Sequence, residues 1–277
     1  MKIVYFGMDL QSPCFGYLAE RCEILALYTH HYPEDCFTEY SIVREAERRG
    51  IPVVYGRIPE ERVRRYFEEE GCELFFSAEY GYIIPVPADL PQFRGVNLHG
   101  ALLPEGRGYF PVEVTLARHP AETGVTLHKI APELDTGDII DVERFALTPE
   151  MDSVDVSIRN RQAGLKLTKR LMEDFEGAWN RAVPQPASDG TGLCPRPDDG
   201  VLTLRPGMTT AEAMGVYRIY NQMTRVELGG KTRLVMTMEP GSVVPDETEI
   251  RLAENRWIYR TADGHLRITS QHGEDWR

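Results

Sequence analysis

The segment Gly95-Val96-Asn97-Leu98-His99-Gly100-Ala101-Leu102-Leu103-Pro104-Glu105-Gly106-Arg107-Gly108 decides how the rest of the chain is interpreted. Its first five residues are typical of a short buried strand, and the glycines and proline after them indicate a rigid loop. Asn97 and His99 flank one strand residue, so their side chains project from the same face. Open α/β sheets bind their ligands at the carboxyl ends of strands, which is where this loop begins.

The residues before this segment alternate between short apolar runs and amphipathic runs that end at glycine. We predict strands and helices, in chain order, at Lys2–Gly7, Glu23–Thr29, Glu39–Arg49 (helix), Ile51–Tyr55, Pro59–Glu70 (helix), Leu74–Ser77 and Gly95–His99. This alternation predicts an α/β fold with a Rossmann-like, mostly parallel sheet. Neither a G-x-G-x-x-G motif nor a P-loop follows the first strand, which disfavours NAD or ATP bound in those modes.

The residues after this segment have a different pattern. We predict two β-runs at Thr123–Ile130 and Asp138–Ala146, one long helix over 152–179, a helix at Thr210–Met223, and two hairpins within 225–237 and 257–269. Residues 184–200 are rich in Pro, Gly, Ser and Asp. We therefore predict a larger domain over 1–183, a linker over 184–204 and a small β-rich domain over 205–277.

Composition and charge narrow the classes of function. The chain has 277 residues, 42% of them hydrophobic, and a formal net charge of -12. That charge disfavours nonspecific binding to a phosphate backbone, so a nucleic-acid partner is not expected. No apolar run reaches the roughly 20 residues of a membrane span, and the first residues lack a signal-peptide pattern. We therefore expect a cytoplasmic protein without a membrane partner.

The cysteines and histidines predict no metal site. Cys14, Cys22, Cys36, Cys72 and Cys194 are scattered and form no C-x-x-C pair, so reduced thiols are expected. The seven histidines are not grouped with acidic or sulfur ligands at metal spacing.

Asn97, His99 and Asp135 together carry the chemistry of an acyl transfer. An amide can donate to an oxyanion, an imidazole can move a proton, and a carboxylate can hold and charge-balance the imidazole. Taken singly, His99 is more typical of a structural strand-end residue, and Asp135 of a turn former. Their combination with the loop at 104–108 favours catalysis.

The order and spacing of these motifs resemble the formyltransferase family. The resemblance rests on Asn97-x-His99, Ala101–Pro104, Gly106–Gly108, Thr123–Thr126 and Leu134–Asp138. It covers roughly residues 1–180, and the β-rich C-terminal region resembles the family's barrel-like domain more loosely. It implies a formyltransferase catalytic domain over 1–183 that uses 10-formyltetrahydrofolate as formyl donor and needs no metal.

The resemblance also implies roles for individual residues. Asn97, His99 and Asp135 match the family's catalytic trio, although it leaves open whether His99 or Asp135 takes the first proton. Folate contacts are expected from Glu79, Tyr80, Gly81, Tyr82, Ile83, Leu103 and Asp138. Contacts to the amine substrate are expected from Pro104, Gly106, Arg107 and Gly108. A structural role for Arg107, holding the loop, is an equal alternative.

Two departures from the family pattern bear on the substrate. Ala101 replaces the family's usual serine, and residues 220–225 differ from the usual Asn-Pro-Trp-Pro-Gly-like segment. We favour a small-molecule amine as acceptor, in particular a nucleotide-linked amino sugar, with hydroxyornithine or methionyl-tRNA as alternatives. The chain is acidic and carries no basic insertion at Gly7–Gly16, which disfavours tRNA. A non-catalytic, folate-binding regulatory relative is a further alternative, and the likeness to sugar-modifying members implies a homodimer.

Overall fold

A computed structural model describes residues 1–31, 40–118, 120–186, 194 and 197–272. The chain divides into two compact units by its internal contacts. The first unit comprises Met1–Thr115, Pro120–Leu147 and Ser157–Pro195, and the second comprises Leu116–His119, Thr148–Val156 and Arg196–Arg277. The end of the catalytic domain at residue 183 and the end of the linker at residue 204 stay predictions.

The first unit contains a seven-stranded sheet in the order β3-β2-β1-β4-β5-β6-β7. Its strands are β1 Lys2–Gly7, β2 Glu23–Thr29, β3 Val53–Tyr55, β4 Leu74–Ala78, β5 Gly95–His99, β6 Glu122–Lys129 and β7 Ile139–Ala146. Strands β1 to β5 pair in parallel, whereas β6 runs antiparallel to β5, and β7 antiparallel to β6. The predicted mostly parallel α/β fold is therefore confirmed.

Helices cover both faces of this sheet. They are α1 Ser12–Ala19, α2 Ser41–Arg48, α3 Glu60–Glu68, α4 Pro111–Arg118, α5 Ser153–Glu173 and α6 Phe175–Asn180. Alternate residues of β1 enter two separate cores: Tyr5 packs in the cluster that contains Phe15 of α1 and Leu167 of α5, and Phe6 packs in the cluster that contains Tyr66 of α3. Burial on both faces explains why the parallel strands are continuous apolar runs.

The single helix predicted over 152–179 is wrong, because Asp174 divides it into α5 and α6. The backbone of Asp174 is non-helical, with φ -149° and ψ 66°, and its side chain accepts a hydrogen bond from the Gly177 amide. Aspartate is a strong helix N-cap because its carboxylate satisfies an otherwise unpaired amide of the first turn. Within the described ranges, no helix combines the length and apolar character that a membrane span requires.

The second unit contains an antiparallel five-stranded sheet in the order β10-β11-β12-β9-β8. Its elements are α7 Asp199–Leu202, α8 Thr210–Tyr220, β8 Arg225–Leu228, β9 Lys231–Gly241, β10 Glu249–Arg251, β11 Arg256–Arg260 and β12 His265–His272. Both predicted hairpins are present, and Gly229 and Gly230 join β8 to β9 with φ of 63° and 70°. The predicted small β-rich region is confirmed, while β10 and α7 were not predicted.

Candidate active site

The predicted trio converges at the carboxyl end of β5. Asn97 and His99 lie on this strand, and Asp135 lies in the turn between β6 and β7, with its backbone at φ 54°. The Asn97 Nδ2 atom is 3.5 Å from Asp135 Oδ1, and His99 Nδ1 is 3.6 Å from Asp135 Oδ2. His99 and Asp135 are buried, being 6% and 8% exposed. The three side chains therefore form one polar cluster, largely shielded from solvent.

The environment of His99 fixes its tautomer. Its Nε2–H donates to the Gly106 carbonyl over 2.6 Å, which leaves the lone pair of the neutral ring on Nδ1, facing Asp135. Burial lowers the pKa of His99 below its ordinary value of 6.5, against the opposing effects of Asp135 and the Gly106 carbonyl. The ring is therefore neutral at pH 7, with Nδ1 free to accept a proton.

Asp135 is held as a carboxylate. Burial by itself raises its pKa, but the positive charge that His99 can carry, the neighbouring His128 and the Gly108 amide outweigh burial and hold the pKa at about 2. The Gly108 N–H donates to Oδ2 over 3.0 Å, and this contact persists when His99 is neutral. Asp135 is thus a poor proton acceptor at neutral pH but a permanent negative charge beside the imidazole.

His128 belongs to this cluster, although sequence reasoning assigned it no role. It lies directly opposite Asn97 in the antiparallel pairing of β5 with β6. Its Nδ1–H donates to the Lys129 carbonyl over 2.8 Å, and its Nε2 lies 3.1 Å from Asn97 Nδ2, within hydrogen-bond distance. His128 Nε2 is also 3.6 Å from Asp135 Oδ1. The antiparallel register, had it been predicted, would have placed His128 on the same face as Asn97.

Gln185 is a second residue that sequence reasoning missed, and it holds the turn that carries Asp135. Its Nε2 donates to the carbonyls of Asp135 and Gly137, both over 2.8 Å. Its Oε1 accepts two hydrogen bonds from the Arg107 guanidinium, over 3.0 and 2.6 Å. Arg107 therefore braces the turn through Gln185. The expected substrate contact of Arg107 stays a prediction, and its known contact supports the structural alternative.

Thr126 holds the start of the loop that follows β5. Its hydroxyl donates to the Ala101 carbonyl over 2.7 Å and accepts from the Leu103 amide over 3.1 Å. A Cβ atom at Gly106 would lie 2.7 Å from the Cβ of Ala101, so glycine allows the close approach that brings the Gly106 carbonyl to His99. Thr126 and the packing of Gly106 against Ala101 therefore fix the loop. Ala101 stands at the position where the formyltransferase family usually has serine.

A cavity of about 380 Å³ opens beside the trio. This volume falls in the range of small-molecule sites. All three trio residues line it, together with Gly108 and the predicted folate loop Glu79–Ile83. A neighbouring cavity of about 80 Å³ shares Tyr82, Asn97 and Asp135 with the first and is also lined by His128. Asn97 and Asp135 therefore face both cavities.

The other predicted contact residues lie outside the walls of these two cavities. They are Leu103, Asp138, Pro104, Gly106 and Arg107. The carboxylate of Asp138 accepts a hydrogen bond from Lys129 Nζ over 3.1 Å, and Leu103 is buried. Their roles in ligand binding stay predictions. Within the part of the chain that the structure describes, no group of His, Cys, Asp and Glu side chains is arranged to hold a metal ion.

The cluster contains the parts that an acyl transfer needs. Asn97 offers amide N–H donors, His99 offers a free basic nitrogen, and Asp135 offers a fixed negative charge that stabilises an imidazolium. These groups line a partly enclosed cavity, where electrostatic interactions are stronger than in bulk water.

Comparison of sequences identifies relatives with related chemistry. The formyl transferase family matches residues 46–171. The methionyl-tRNA formyltransferase of Thermus thermophilus is 31% identical over 219 residues, which span 76% of this chain and 67% of that protein.

Comparison of structures gives the same fold. HypX from Aquifex aeolicus, solved in complex with tetrahydrofolic acid, has a TM-score of 0.69 at 16% identity, over 97% of this chain and 43% of HypX. The present chain thus spans less than half of HypX. The N-formyltransferase from Helicobacter canadensis, solved with folinic acid and dTDP-3-aminofucose, has a TM-score of 0.62 at 18% identity, over 98% of this chain and 99% of that protein.

Proposed function

Because the chain belongs to the formyltransferase family, we propose that it transfers a formyl group from 10-formyltetrahydrofolate to the amine of a small molecule. The convergence of Asn97, His99 and Asp135 on one cavity carries this proposal. A protein that only binds folate has no need of an amide donor, a neutral imidazole and an ionised carboxylate within contact of one another.

The described walls of the site fit a folate donor. Ile83 is 59% exposed and Leu134 is 39% exposed, and both line the two cavities beside Asn97. Exposed apolar side chains at the mouth of a polar cluster suit a flat aromatic ring system. The ligands of the HypX and Helicobacter canadensis structures, tetrahydrofolic acid and folinic acid, support the choice of donor. Bound there, the donor would supply an activated formyl carbon.

Three side chains divide the work of the transfer. The acceptor nitrogen forms a bond to the formyl carbon, and the bond from that carbon to N10 of the folate breaks. His99 accepts the proton that the amine loses, on Nδ1, and returns it to N10, so that protons balance. Asp135 stabilises the imidazolium in between. This order follows from the pKa of Asp135, about 2, which makes it a weaker base than the neutral His99.

Asn97 is placed to stabilise the negative charge that develops on the formyl oxygen. Its Nδ2 now donates to His128, and a small rotation of the side chain would aim an N–H into the cavity. Removal of one such donor typically costs about 3 kcal/mol of transition-state stabilisation. His128 supports the orientation of this amide, because its Nε2 lies 3.1 Å from Asn97 Nδ2 while its Nδ1–H donates to the Lys129 carbonyl.

The class of acceptor is the finer part of the proposal. A nucleotide-linked amino sugar is the acceptor favoured by the sequence resemblance, and the Helicobacter canadensis structure contains such a sugar nucleotide. The sequence similarity to a methionyl-tRNA formyltransferase supports the tRNA alternative. The net charge of -12 argues against tRNA, because the phosphate backbone requires a basic surface.

Release of tetrahydrofolate from 10-formyltetrahydrofolate tests the proposal. The acceptors to supply are amino-sugar nucleotides, amino acids and diamines including hydroxyornithine, and charged initiator tRNA. We expect release that depends on one small-molecule amine and that is lost in Asn97→Ala. Tight folate binding without release for any acceptor would contradict formyl transfer and favour the folate-binding regulatory alternative.

A further inference from the structure

The cavity beside the trio is rich in carboxylates. Glu79, Glu113 and Asp135 line it, and no Lys or Arg is present among its described lining residues. Asp135 has its own partners in the two histidines and the Gly108 amide. None of the ion pairs formed within the described ranges includes Glu79 or Glu113. Two acids therefore face the cavity without a basic side chain to balance them.

Glu79 and Glu113 come from distant parts of the chain. Glu79 follows β4 with φ 63°, and Glu113 lies in the first turn of α4. The Glu79 residue is exposed and lines the cavity. Desolvation of its carboxylate, followed by the negative charge of Glu113, raises the pKa of Glu79 to about 8. Burial likewise raises the pKa of Glu113, against the effect of its own backbone amide.

Asn160 on α5 is an independent sign that a ligand belongs here. It lines the same cavity and is only 2% exposed. Its Nδ2 donates to the Gly100 carbonyl over 3.3 Å, but its buried Oδ1 has no hydrogen-bond partner among the described residues. An unpaired buried acceptor is costly, and a donor from water or from a ligand in the cavity would relieve that cost. When both acids are ionised, the wall thus presents two carboxylates and one amide oxygen, all of them acceptors.

Aromatic rings line the same cavity. Tyr80, Tyr82 and Tyr109 are among its lining residues, and Arg57 already lies over the Tyr82 ring, 5.2 Å from its centroid. The face of an aromatic ring attracts a cation through its quadrupole. Acceptor oxygens and tyrosine rings together are the usual surroundings of an ammonium or guanidinium group in proteins, whereas a phosphate would meet three acids and no basic side chain among the described lining residues.

We infer that Glu79, Glu113 and Asn160 hold a second cationic group of the acceptor, separate from the amine that is formylated. This inference rests on the proposed function, since it names the class of acceptor used at the same site. The reacting amine must be neutral to attack, and a carboxylate pair favours the charged form of any amine it contacts. The pair therefore suits a group that does not react. The acceptor is a diamine, an amino acid or a similar small cation, not a nucleotide-linked sugar.

Turnover of a matched pair of amines tests the inference. In 1,4-diaminobutane an ammonium stands where 1-aminopentane has a methyl group, at almost the same length. We expect tetrahydrofolate release with a kcat/KM about tenfold or more higher for the diamine. The inference is overturned if the two amines are equivalent, or if release occurs only with an amino-sugar nucleotide or tRNA. The second result would leave the proposed function standing.

Substitution of the acids separates their role from that of the trio. We expect Glu113→Gln to raise the KM for 1,4-diaminobutane about tenfold, with kcat and the KM for 10-formyltetrahydrofolate nearly unchanged. Glu68→Gln, which removes an exposed charge on α3, is the matched control and leaves both KM values unchanged. A raised KM for the folate instead would assign the pair to the donor and overturn the inference.

Binding measured without turnover makes the two proposals separately testable. Calorimetric titration of 1,4-diaminobutane into protein saturated with folinic acid, which does not react, should give heat for the wild type. It should give none for the double variant Glu79→Gln, Glu113→Gln. If this difference is found while no amine is formylated, the cation site stands and the proposed function fails. If the diamine binds both proteins equally, the cation site fails whatever the turnover.

Discussion

Two carboxylates that line one cavity, those of Asp135 and Glu79, have pKa values shifted in opposite directions. At the trio, Asp135 has two histidines and a backbone amide around it, and its pKa is held at about 2. At Glu79, burial and then the negative charge of Glu113 raise the pKa to about 8. Both side chains line the same 380 Å³ cavity, and burial raises the pKa of each; the partners of Asp135 outweigh that effect, whereas the charge of Glu113 adds to it at Glu79.

This difference separates two functions within the site. A carboxylate that is already paired is part of the machinery, since it holds a charge in place before any ligand arrives. An acidic pair that lacks a basic partner leaves negative charge in the wall uncompensated. A cationic group of the ligand would compensate this charge. In this account Asp135 takes part in the formyl transfer, and Glu79 and Glu113 select the acceptor.

Loss of the charge at Asp135 should produce the largest effect. In Asp135→Asn no carboxylate stabilises the His99 imidazolium, and we expect kcat/KM to fall about 10³-fold or more. The tetrahydrofolate-release assay measures this, with circular dichroism to show that the fold is intact. Asp89→Asn, which removes an exposed carboxylate that pairs with Arg64, should retain full activity. A folded Asp135→Asn protein with near wild-type turnover would remove Asp135 from the mechanism.

The acid limb of the pH profile should report His99. Burial lowers its pKa below 6.5, and the neutral ring is the form that accepts a proton. Once the rates are divided by the neutral fraction of the acceptor amine, activity should therefore be flat above pH 6.5 and should fall about tenfold per pH unit once the pH drops below the lowered pKa. Steady-state kcat across pH 5 to 8 checks this. An acid limb that begins above pH 6.5 would contradict a neutral, buried His99.

Removal of the hydrogen bonds by which Gln185 supports the Asp135 turn should have a smaller effect. Gln185→Leu leaves the carbonyls of Asp135 and Gly137 without their donor, and we expect about a tenfold loss of kcat and about 1–2 kcal/mol of stability. The KM for the acceptor should change little, because Gln185 does not line the cavity. Gln92→Leu, an exposed substitution before β5, is the control. Unchanged kcat in Gln185→Leu would show that Asp135 needs no such brace.

The smallest expected effect is a change with pH in the contribution of Glu79 to the stability of the fold. The pKa of Glu79 is raised in the folded state, so the folded protein binds more protons than the unfolded chain between pH 4.5 and 8. Its contribution to stability is thus lost as the pH rises through that window. Because Glu79 is exposed, solvent screening reduces this effect, and relative to Glu79→Gln the wild type should lose about 2–4 °C of melting temperature between pH 5 and 8. A difference that is constant with pH would contradict the raised pKa.

Sequence reasoning succeeded where a pattern is local. The strands could be predicted because each lies in a short segment with its own signature, such as the apolar run of β1. The alternation Asn97-Leu98-His99 likewise places two polar side chains on one face of β5, and the catalytic role of the trio stays a prediction. The break at Asp174 could have been found from its capping side chain, but the apolar periodicity of α5 continues past it. Local patterns of this kind do not say which segments meet in space.

The rest of the site depends on tertiary contacts. His128 faces Asn97 only because β6 runs antiparallel to β5. Gln185 lies in a Pro-rich segment whose composition predicts a linker, and its bonds to the Asp135 turn cross about fifty positions of sequence. Glu79 and Glu113 meet in the cavity from β4 and α4, and no spacing rule connects them.

A side-by-side assay of Asp135→Asn and Glu113→Gln with 1,4-diaminobutane tests the contrast between the trio and the acidic pair most directly. We expect Asp135→Asn to lose kcat by orders of magnitude, and Glu113→Gln to keep kcat while its KM for the diamine rises about tenfold. If both substitutions lowered kcat alike with no change in the KM for the diamine, the two carboxylates would share one role, and the division of the cavity lining into reacting and selecting residues would be wrong.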